Sequence, residues 1–232
     1  MNTLHHLESC YEVLAPAMEN NSEAFAWFTG LPHPLFNAIM HLDGKDPAAQ
    51  LDRLILRAQG PISVWVPVGT KHAHSLKALK MRNFASIGSC PLMKWTVQPS
   101  SQSPKHEIRK ADRKIFHEIS ATNFGFEEPF GKEFVTLSYQ PRVENYLVYC
   151  DGKAVGAGTL IPSGKIGGIF NMSTLSASRN QGCASSLMHF FMNRARELGL
   201  EELVLLSSPE TEKFYSGLGF QTVLQLDIYV PQ

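Results

Sequence analysis

The segment from residue 179 to residue 184 has the residue types that suit a phosphate-bearing ligand. It reads Arg179-Asn180-Gln181-Gly182-Cys183-Ala184 and opens a predicted helix, just after a strand that ends near Leu175. The first N–H groups of a helix lack acceptors within it, and the helix dipole adds partial positive charge there. Gly182 lets an anion approach the backbone closely, and Arg179 adds a formal charge. We therefore predict that these amides bind a pyrophosphate.

A second reactive group follows two elements later. The predicted helix over 179–198 is amphipathic, and Gly199 stands where a left-handed C-terminal cap belongs. A buried strand over 202–206 comes next, and Ser208-Pro209 then begins another helix, with serine as N-cap and proline in the first turn. That helix carries Tyr215, whose phenol has a pKa of about 10 and keeps its proton at neutral pH.

Common nucleotide-binding motifs do not explain the segment 179–184. It lacks the GK[ST] ending of a P-loop and the G-x-G-x-x-G pattern of a dinucleotide fingerprint. The pattern R-x-x-G-x-A also occurs by chance in many helices. Its position between a strand and an amphipathic helix is what makes it informative.

The polar stretch from Gln98 to Pro104 divides the chain. Its two prolines and three serines cannot continue a helix or a central strand. We predict a domain over residues 1–98, a linker over 99–105 and a second domain over 106–232. In the second domain the patterns predict strands at 106–109, 144–150, 154–161, 166–175, 202–206 and 222–230, and helices at 112–123, 131–139, 179–198 and 209–217. This alternation of strands and helices is typical of an α/β fold.

The first half repeats the end of the second half in outline. It has a predicted strand at 62–66, a helix at 73–81, the pair Asn83-Phe84 and a strand that runs to Trp95. A helix over 47–59 would match the long helix at 179–198. The repeat is weak at residue level, so a chance likeness between two β-α-β units is the alternative interpretation.

Composition excludes several classes of protein. Lys and Arg number 21 and Asp and Glu number 21, so the chain lacks the basic surplus of a nucleic-acid-binding protein. No apolar run approaches the length of about 20 residues that a membrane helix needs, and we expect a cytoplasmic protein that binds neither nucleic acid nor membrane. The four cysteines (Cys10, Cys90, Cys150 and Cys183) are far apart in sequence and form no CxxC pair. We therefore predict reduced thiols and no metal site.

On these motifs the sequence resembles the GNAT superfamily of acyl-CoA-dependent N-acyltransferases. The family motif [RQ]-x-x-G-x-[GA], which follows the fourth strand, and a later L-Y-x-x-x-G-F helix occur here at the family's separation. The matching residues are Arg179, Gly182 and Ala184 for the first motif and Phe214, Tyr215, Gly219 and Phe220 for the second. The resemblance covers about residues 106–232. It implies a GNAT fold, which is an α/β fold with a central mixed β-sheet flanked by helices and with splayed fourth and fifth strands. It also implies a degenerate, partial copy of this fold in the N-terminal half.

The resemblance also implies a co-substrate and a mechanism. Acetyl-CoA would place its pantetheine along the fourth strand, near the backbone of Met172, Ser173 and Thr174, and its diphosphate on the amides of 180–184. A backbone N–H of the splayed strand would polarise the thioester carbonyl. A primary amine, on a small molecule or a peptide, would attack without a covalent enzyme intermediate. Tyr215 would serve as the general acid for the leaving thiolate.

This sequence departs from the family pattern at three places. Ser208 replaces an asparagine that helps to bind the cofactor, so the polar contact that it makes would be shorter. Thr211 replaces a common alanine, and Asn180-Gln181 replaces a common Gly-Lys or Gly-Arg pair, which removes a cation near the phosphates.

Several other residues have both a functional and a structural interpretation. Cys183 would be a reactive thiol if the helix N-terminus lowered its pKa, or a small side chain packed inward. Glu127 and Glu128 would attract an acceptor amine or would be solvated loop acids. Asn171 would face the acceptor from the splayed strand. The aromatic residues around the two acids would line a pocket or fill the core. They are Phe124, Phe126, Phe130 and Phe134.

The sequence thus predicts an N-acetyltransferase that uses acetyl-CoA and no metal. The alternative is a non-catalytic acyl-CoA-binding module that keeps the fold. The presence of both the segment 179–184 and Tyr215 favours the enzyme. The sequence identifies neither the acceptor amine nor the length of the acyl chain, and it leaves open whether the chain forms a homodimer.

Overall fold

The computed structural model describes residues 3–14, 17–21, 23–42, 44–58, 60–69, 72–99 and 102–232. Two serines of the predicted linker, Ser100 and Ser101, and Gln59 at the predicted end of a helix lie outside these residues. The helices are α1 (Thr3–Leu14), α2 (Pro47–Ala58), α3 (Ala73–Met81), α4 (Arg113–Phe124), α5 (Phe130–Ser138), α6 (Cys183–Glu197) and α7 (Pro209–Gly217). The strands are β1 (Ala17–Asn20), β2 (Ala24–Phe28), β3 (Asn37–Leu42), β4 (Ser63–Pro67), β5 (Phe84–Thr96), β6 (Glu107–Lys110), β7 (Glu144–Cys150), β8 (Lys153–Ser163), β9 (Ile166–Thr174), β10 (Glu202–Leu206) and β11 (Gln221–Pro231).

The chain forms two compact units that do not follow its order in sequence. The first unit joins Met1–Val13 to Lys94–Leu205, and the second joins Leu14–Met93 to Leu206–Gln232. The predicted division placed the boundary at the linker over 99–105 instead. The reason for the difference is strand pairing: β11 pairs with β4, with Ile228 opposite Trp65, so the C-terminal segment belongs with residues from the first half. The predicted domain limits stay a prediction.

The first unit is a mixed sheet in which β10, β9, β8, β7 and β6 follow one another. The pair β9–β10 is parallel, and the pairs from β9 to β6 are antiparallel. Phe116 of α4 and Phe191 of α6 are fully buried against this sheet, which accounts for the apolar stripes of both helices. The Asp112 side chain caps α4 by accepting hydrogen bonds from the amides of Lys114 and Ile115.

Helix α1 belongs to the core of the first unit. Its Cys10 is fully buried and donates to the Ile161 carbonyl across 3.7 Å. A Cβ on Gly168 of β9 would come within 2.8 Å of the Cys10 side chain, so a glycine is required for this close approach. Burial raises the pKa of Cys10 to about 12, and its thiol therefore stays protonated. The sequence patterns did not predict this helix.

The second unit has strands in the order β1, β2, β3, β4, β11 and β5. The pair β3–β4 is parallel and β4–β11 is antiparallel. Helices α2 and α3 contribute Leu51, Leu54 and Leu79 to its apolar core, which also contains Ile39 and Val64. The predicted helix at 73–81 and the predicted strand at 62–66 are therefore core elements of this unit, as their apolar patterns indicate.

One predicted element begins four residues later than expected. The helix predicted to start at Arg179 starts at Cys183, because Asn180 and Gly182 both have positive φ, at 60° and 84°. A short 3-10 helix over Ser176–Ser178 precedes them. Residues 179–182 are therefore a loop, which we call the phosphate loop, and Gly182 is the N-cap of α6. In the described part of the chain, no helix combines the length and apolar character needed to cross a bilayer.

Candidate functional site

Strands β9 and β10 separate partway along their length, within the first unit. The parallel ladder joins Glu202–Leu205 to Ile166–Ile169 and ends there. Strand β9 continues to Thr174. Over Phe170–Thr174 the edge of β9 that faced β10 is therefore released from strand pairing in the described structure. An extended ligand can use such an edge as an added strand would.

A β-bulge lies at the point of separation. The ladder between β8 and β9 pairs Ala157 with Ser173 and Thr159 with Phe170, so Gly158 faces two residues of β9. One of these two is Asn171, which has a positive φ of 55°. A bulge redirects the backbone groups of its strand. A Cβ on Gly158 would come within 2.8 Å of both Leu187 and Met172, so the glycine permits the packing of α6 at this bulge.

The Asn171 side chain holds the bulge in place. Its Nδ2 donates to Thr159 Oγ1 at 3.1 Å and to Ser138 Oγ at 3.4 Å. Thr159 in turn donates to Asn145 Oδ1 at 2.6 Å, and Asn145 Nδ2 donates to the Ser138 carbonyl at 2.7 Å. Ser138, Asn145 and Thr159 are all buried. This network joins the end of α5 to three strands. Asn171 was predicted to face an acceptor, and its side-chain nitrogen instead donates both of these hydrogen bonds within the protein.

The phosphate loop presents the N-terminus of α6 at the end of the released edge. The Ser186 amide donates to the Gly182 carbonyl, which is the first hydrogen bond of the helix. The amides of Cys183, Ala184 and Ser185 precede that bond and so have no acceptor within the helix. Positive φ at Asn180 and Gly182 also suits the concave backbone that binds anions. The arrangement can hold a diphosphate without further side chains.

Arg179 ties the loop to neighbouring elements. Its Nε donates to the Thr174 carbonyl at 3.2 Å, and its Nη2 donates to Asn123 Oδ1 at 3.1 Å. Its side chain is exposed. The guanidinium therefore stands at the rim of the loop, beside the last residue of β9.

Two further residues hold the loop and were not found by sequence reasoning. His106 Nε2 lies 2.8 Å from the Gln181 carbonyl. The buried Ser186 Oγ accepts hydrogen bonds from the amides of Lys105 and His106 at 3.1 and 3.2 Å. These contacts join α6 to the start of β6. Nothing in the spacing of these residues indicates the contact, because it depends on how the sheet places β6.

The structure also brings His106, Cys150 and Cys183 together. A ring nitrogen of His106 and the two Sγ atoms lie within 4.8 Å of one another. Cys183 is buried, and burial, with a smaller effect of the Cys150 thiol, raises its pKa. A raised pKa favours the inward-packed interpretation of Cys183 over a reactive thiolate. The cysteine spacing predicted no metal site, yet the fold places two thiols and an imidazole side by side.

Tyr215, on α7, and Ser208, the N-cap of that helix, belong to the second unit. Tyr215 is 8% exposed, and burial raises its pKa to about 12. The rings of Phe214 and Phe220 lie 5.0 and 6.1 Å from its ring. At the start of the helix, the Ser208 amide donates to Thr211 Oγ1 at 3.2 Å. Ser208 and Thr211, the two residues that depart from the family pattern here, thus form part of a helix cap.

The two acids of the predicted acceptor loop differ in their surroundings. Glu128 lies 3.0 Å from His117 Nε2 and 3.9 Å from Lys132 Nζ. Glu127 is exposed. The aromatic residues around them pack on one another, with Phe126 5.0 Å from Phe134 and 4.7 Å from Phe130 between ring centroids. Phe134 is buried and Phe124 is 41% exposed, so the group is partly core and partly surface.

Comparison with known proteins identifies a family. Residues 142–222 match the family model described as Acetyltransferase (GNAT) domain. The match runs from the loop before β7 to the start of β11, and it includes the phosphate loop and Tyr215. A search of curated protein sequences finds no relative of the chain.

Solved structures extend the likeness to almost the whole chain. A GCN5-related N-acetyltransferase from Kribbella flavida is 10% identical, with a TM-score of 0.73, and the alignment covers 99% of this chain and 95% of that one. A GCN5-related N-acetyltransferase from Sphaerobacter thermophilus is 13% identical, with a TM-score of 0.65 over 90% of this chain and 76% of that one. A tandem GNAT protein from the clavulanic acid biosynthesis pathway is 7% identical, with a TM-score of 0.63 over 96% and 85%. At such identities the likeness establishes the fold, and the tandem protein agrees with the predicted partial repeat.

Proposed function

Because this chain is a member of the GNAT superfamily of acyltransferases, we propose that it transfers an acyl group, most simply acetyl, from acyl-CoA to a primary amine. The amine attacks the thioester carbon directly in a ternary complex, the C–S bond breaks, and the acyl group forms an amide with the acceptor nitrogen. The amine loses a proton to solvent or to a base, and the departing sulfur gains one.

The observation that carries this proposal is the separation of β9 from β10 beside the phosphate loop. The released edge ends at Thr174, and Arg179 of the loop bonds to the carbonyl of that residue. A ligand that lies along Met172, Ser173 and Thr174 would therefore meet the N-terminus of α6 at its far end. Pantetheine followed by a diphosphate has this sequence of groups. The amides of 180–184 would hold the diphosphate, with the N-terminus of α6 supplying partial positive charge.

We assign polarisation of the thioester carbonyl to the backbone at the bulge of β9. A bulge turns an N–H group away from the regular ladder, and a fixed N–H donor stabilises the oxyanion that develops during acyl transfer. The Asn171 network supports this assignment, because it fixes the bulge and so orients the donor before the substrate binds. Asn171 then acts as a positioning residue, and its predicted contact with the acceptor is not needed.

We assign the general acid to Tyr215 and a polar contact with the cofactor to Ser208. The raised pKa of Tyr215 keeps its phenol protonated at neutral pH. The thiol that leaves has a pKa of about 8.5, by analogy with cysteine. Tyr215 would donate a hydrogen bond and then its proton to the sulfur, and would regain the proton from solvent.

Of the two loop acids, we assign attraction of the acceptor amine to Glu127. The ammonium of Lys132, 3.9 Å from Glu128, already offsets part of the charge of that carboxylate. Glu127 is exposed and lies one residue away. An exposed carboxylate attracts a cationic amine with a strength that depends on salt. The acceptor KM should therefore rise with ionic strength more steeply for the wild type than for Glu127→Gln.

The test combines ligand binding with turnover. Acetyl-CoA and longer acyl-CoAs are added in a thermal-unfolding assay, and thiol release is then followed against a panel of amines. Saturating ligand at about 100 times its Kd should stabilise the fold by about 2.7 kcal/mol. Arg179→Ala should weaken this stabilisation, and Arg142→Ala, which removes an exposed arginine outside the loop, is the matched control.

Three outcomes are decisive. Stabilisation together with thiol release supports the enzyme. Stabilisation without thiol release on any amine supports the non-catalytic acyl-CoA-binding module instead. If no CoA ester stabilises the protein, both proposals fail.

A further inference from the structure

Three metal-ligating side chains meet beside the phosphate loop, and the proposed acyl transfer uses none of them. His106 precedes β6, Cys150 ends β7 and Cys183 begins α6. A ring nitrogen of His106 and both Sγ atoms lie within 4.8 Å of one another. All three residues belong to the first unit. The fold therefore gathers two thiols and an imidazole from three separate elements.

We propose that His106, Cys150 and Cys183 bind one thiophilic divalent cation, of which Zn²⁺ is the biological example, and that the cation ties the phosphate loop to β6 and β7. Thiolate and imidazole are the donors that zinc prefers in proteins. Both thiols lose their protons to solvent when the metal binds. The two thiolates and the cation then sum to zero charge, so the site adds no net charge beside the loop.

The distances are compatible with a shared metal. Zn–S bonds of about 2.3 Å in a tetrahedral site place two sulfurs about 3.8 Å apart. The observed separations of at most 4.8 Å need to shrink by no more than about 1 Å to reach this geometry. Both thiols are free in this structure, so each sulfur is available as a ligand.

The surroundings of the three ligands resemble the second layer of a metal site. Metal-bound histidines commonly donate their other ring N–H to a backbone carbonyl. With Nδ1 as the metal ligand, His106 Nε2, which lies 2.8 Å from the Gln181 carbonyl, would make this bond. The Cys183 side chain packs with Val148 and Val155, and an apolar shell limits access of water. Three protein ligands leave one tetrahedral position, which a water can occupy.

A metal titration of the full-length protein tests this proposal. The chain is treated with a chelator under reducing conditions and then titrated with ZnCl₂ in competition with a chromogenic chelator. We expect one Zn²⁺ per chain, and Co²⁺ should give a thiolate-to-metal charge-transfer band. Cys150→Ser and His106→Gln should each weaken zinc binding by more than about 100-fold, because even outer-layer partners are worth about 10–100-fold. Cys90→Ser is the matched control, since Cys90 is a partly buried thiol of the second unit.

Three results would overturn the proposal. The first is wild-type protein that takes up no stoichiometric zinc. The second is zinc binding that persists unchanged in both Cys150→Ser and His106→Gln. The third is a disulfide between Cys150 and Cys183, detected by mass spectrometry in zinc-containing buffer. Circular dichroism of each variant verifies that it is folded, and both changes affect partly buried positions. Because the readout is metal uptake, the result is independent of acyl transfer.

Discussion

Tyr215 shows how burial sets the chemistry of a single residue. Removal of the phenol from water penalises its ionised form and raises its pKa to about 12. The phenol thus keeps its proton throughout the physiological pH range. Flanking rings of Phe214 and Phe220 restrict its orientation. These properties suit a donor to a leaving thiolate better than they suit a base.

We expect Tyr215→Phe to lower kcat by about 10²-fold or more, because it removes the proton donor and keeps the ring. The Kd for acyl-CoA should change little, since the proposed cofactor contacts lie elsewhere. Steady-state kinetics and thermal shift measure the two quantities. Tyr229→Phe, a change at a partly buried tyrosine of the same unit, should leave kcat unchanged. Equal kcat for wild type and Tyr215→Phe would remove Tyr215 from the mechanism.

The raised pKa of Tyr215 also predicts the shape of the pH–rate profile. An unshifted tyrosine, with a pKa of about 10, would begin to lose activity near pH 9. With its pKa raised to about 12, Tyr215 remains protonated there, so kcat should stay level up to about pH 10. The pKa of Tyr215 rises rather than falls because burial favours the neutral phenol over the charged phenolate. A fall in kcat with an apparent pKa near 9, seen in the wild type and absent from a less active Tyr215→Phe, would contradict this expectation.

At the scale of elements, the separation of β9 from β10 coincides with a bulge that a small number of contacts hold in place. The bulge breaks the ladder with β8 at Gly158, and the side chain of Asn171 bridges β9 to β8 and α5. Asparagine tolerates the left-handed backbone better than most residues do. The same residue thus adopts the unusual φ and supplies the hydrogen bonds that stabilise it.

Asn171→Ala should destabilise the protein by about 2–4 kcal/mol. Two hydrogen bonds are lost at about 0.5–1.5 kcal/mol each, and alanine in the left-handed region costs roughly 1 kcal/mol. Asn171→Gly loses the same bonds without the backbone strain, so it should be more stable than Asn171→Ala. Urea unfolding at equilibrium measures both changes. If the alanine variant matches the wild type in free energy of unfolding, the network does not hold the bulge.

At the scale of the whole molecule, the two halves of the sequence exchange segments, so that each unit contains residues from both halves. Strand β11 pairs with β4, which comes from the first half of the sequence. Helix α1, also from the first half, packs on β9. Tyr11 and Phe170 contact each other edge to face, with 5.2 Å between their ring centroids. Both functional motifs lie in residues 106–232, but the elements that complete their units do not.

This exchange predicts that the fragment 106–232 does not fold by itself. Without β4 its last strand has lost a partner, and without α1 the apolar face of β9 is exposed to water. We expect no cooperative thermal transition for this fragment by circular dichroism. Addition of the fragment 1–105 should restore one. A cooperative transition in the isolated fragment, at the melting temperature of the full chain, would contradict this expectation, because it would show that residues 106–232 fold without the first half.

The sequence by itself determined the local features of this protein. Gly182 at the start of α6, the capped helix of Tyr215 and the alternation of strands and helices follow from periodicity and capping, which act over a few neighbouring residues. These patterns carried the GNAT resemblance that the family match confirmed, and that resemblance already implied the separation of the fourth and fifth strands. Only the tertiary structure decided the bulge at Asn171, the cluster of His106, Cys150 and Cys183, and the exchange of β11. Each depends on which distant strands pair, and strand pairing leaves no periodic trace in a single sequence.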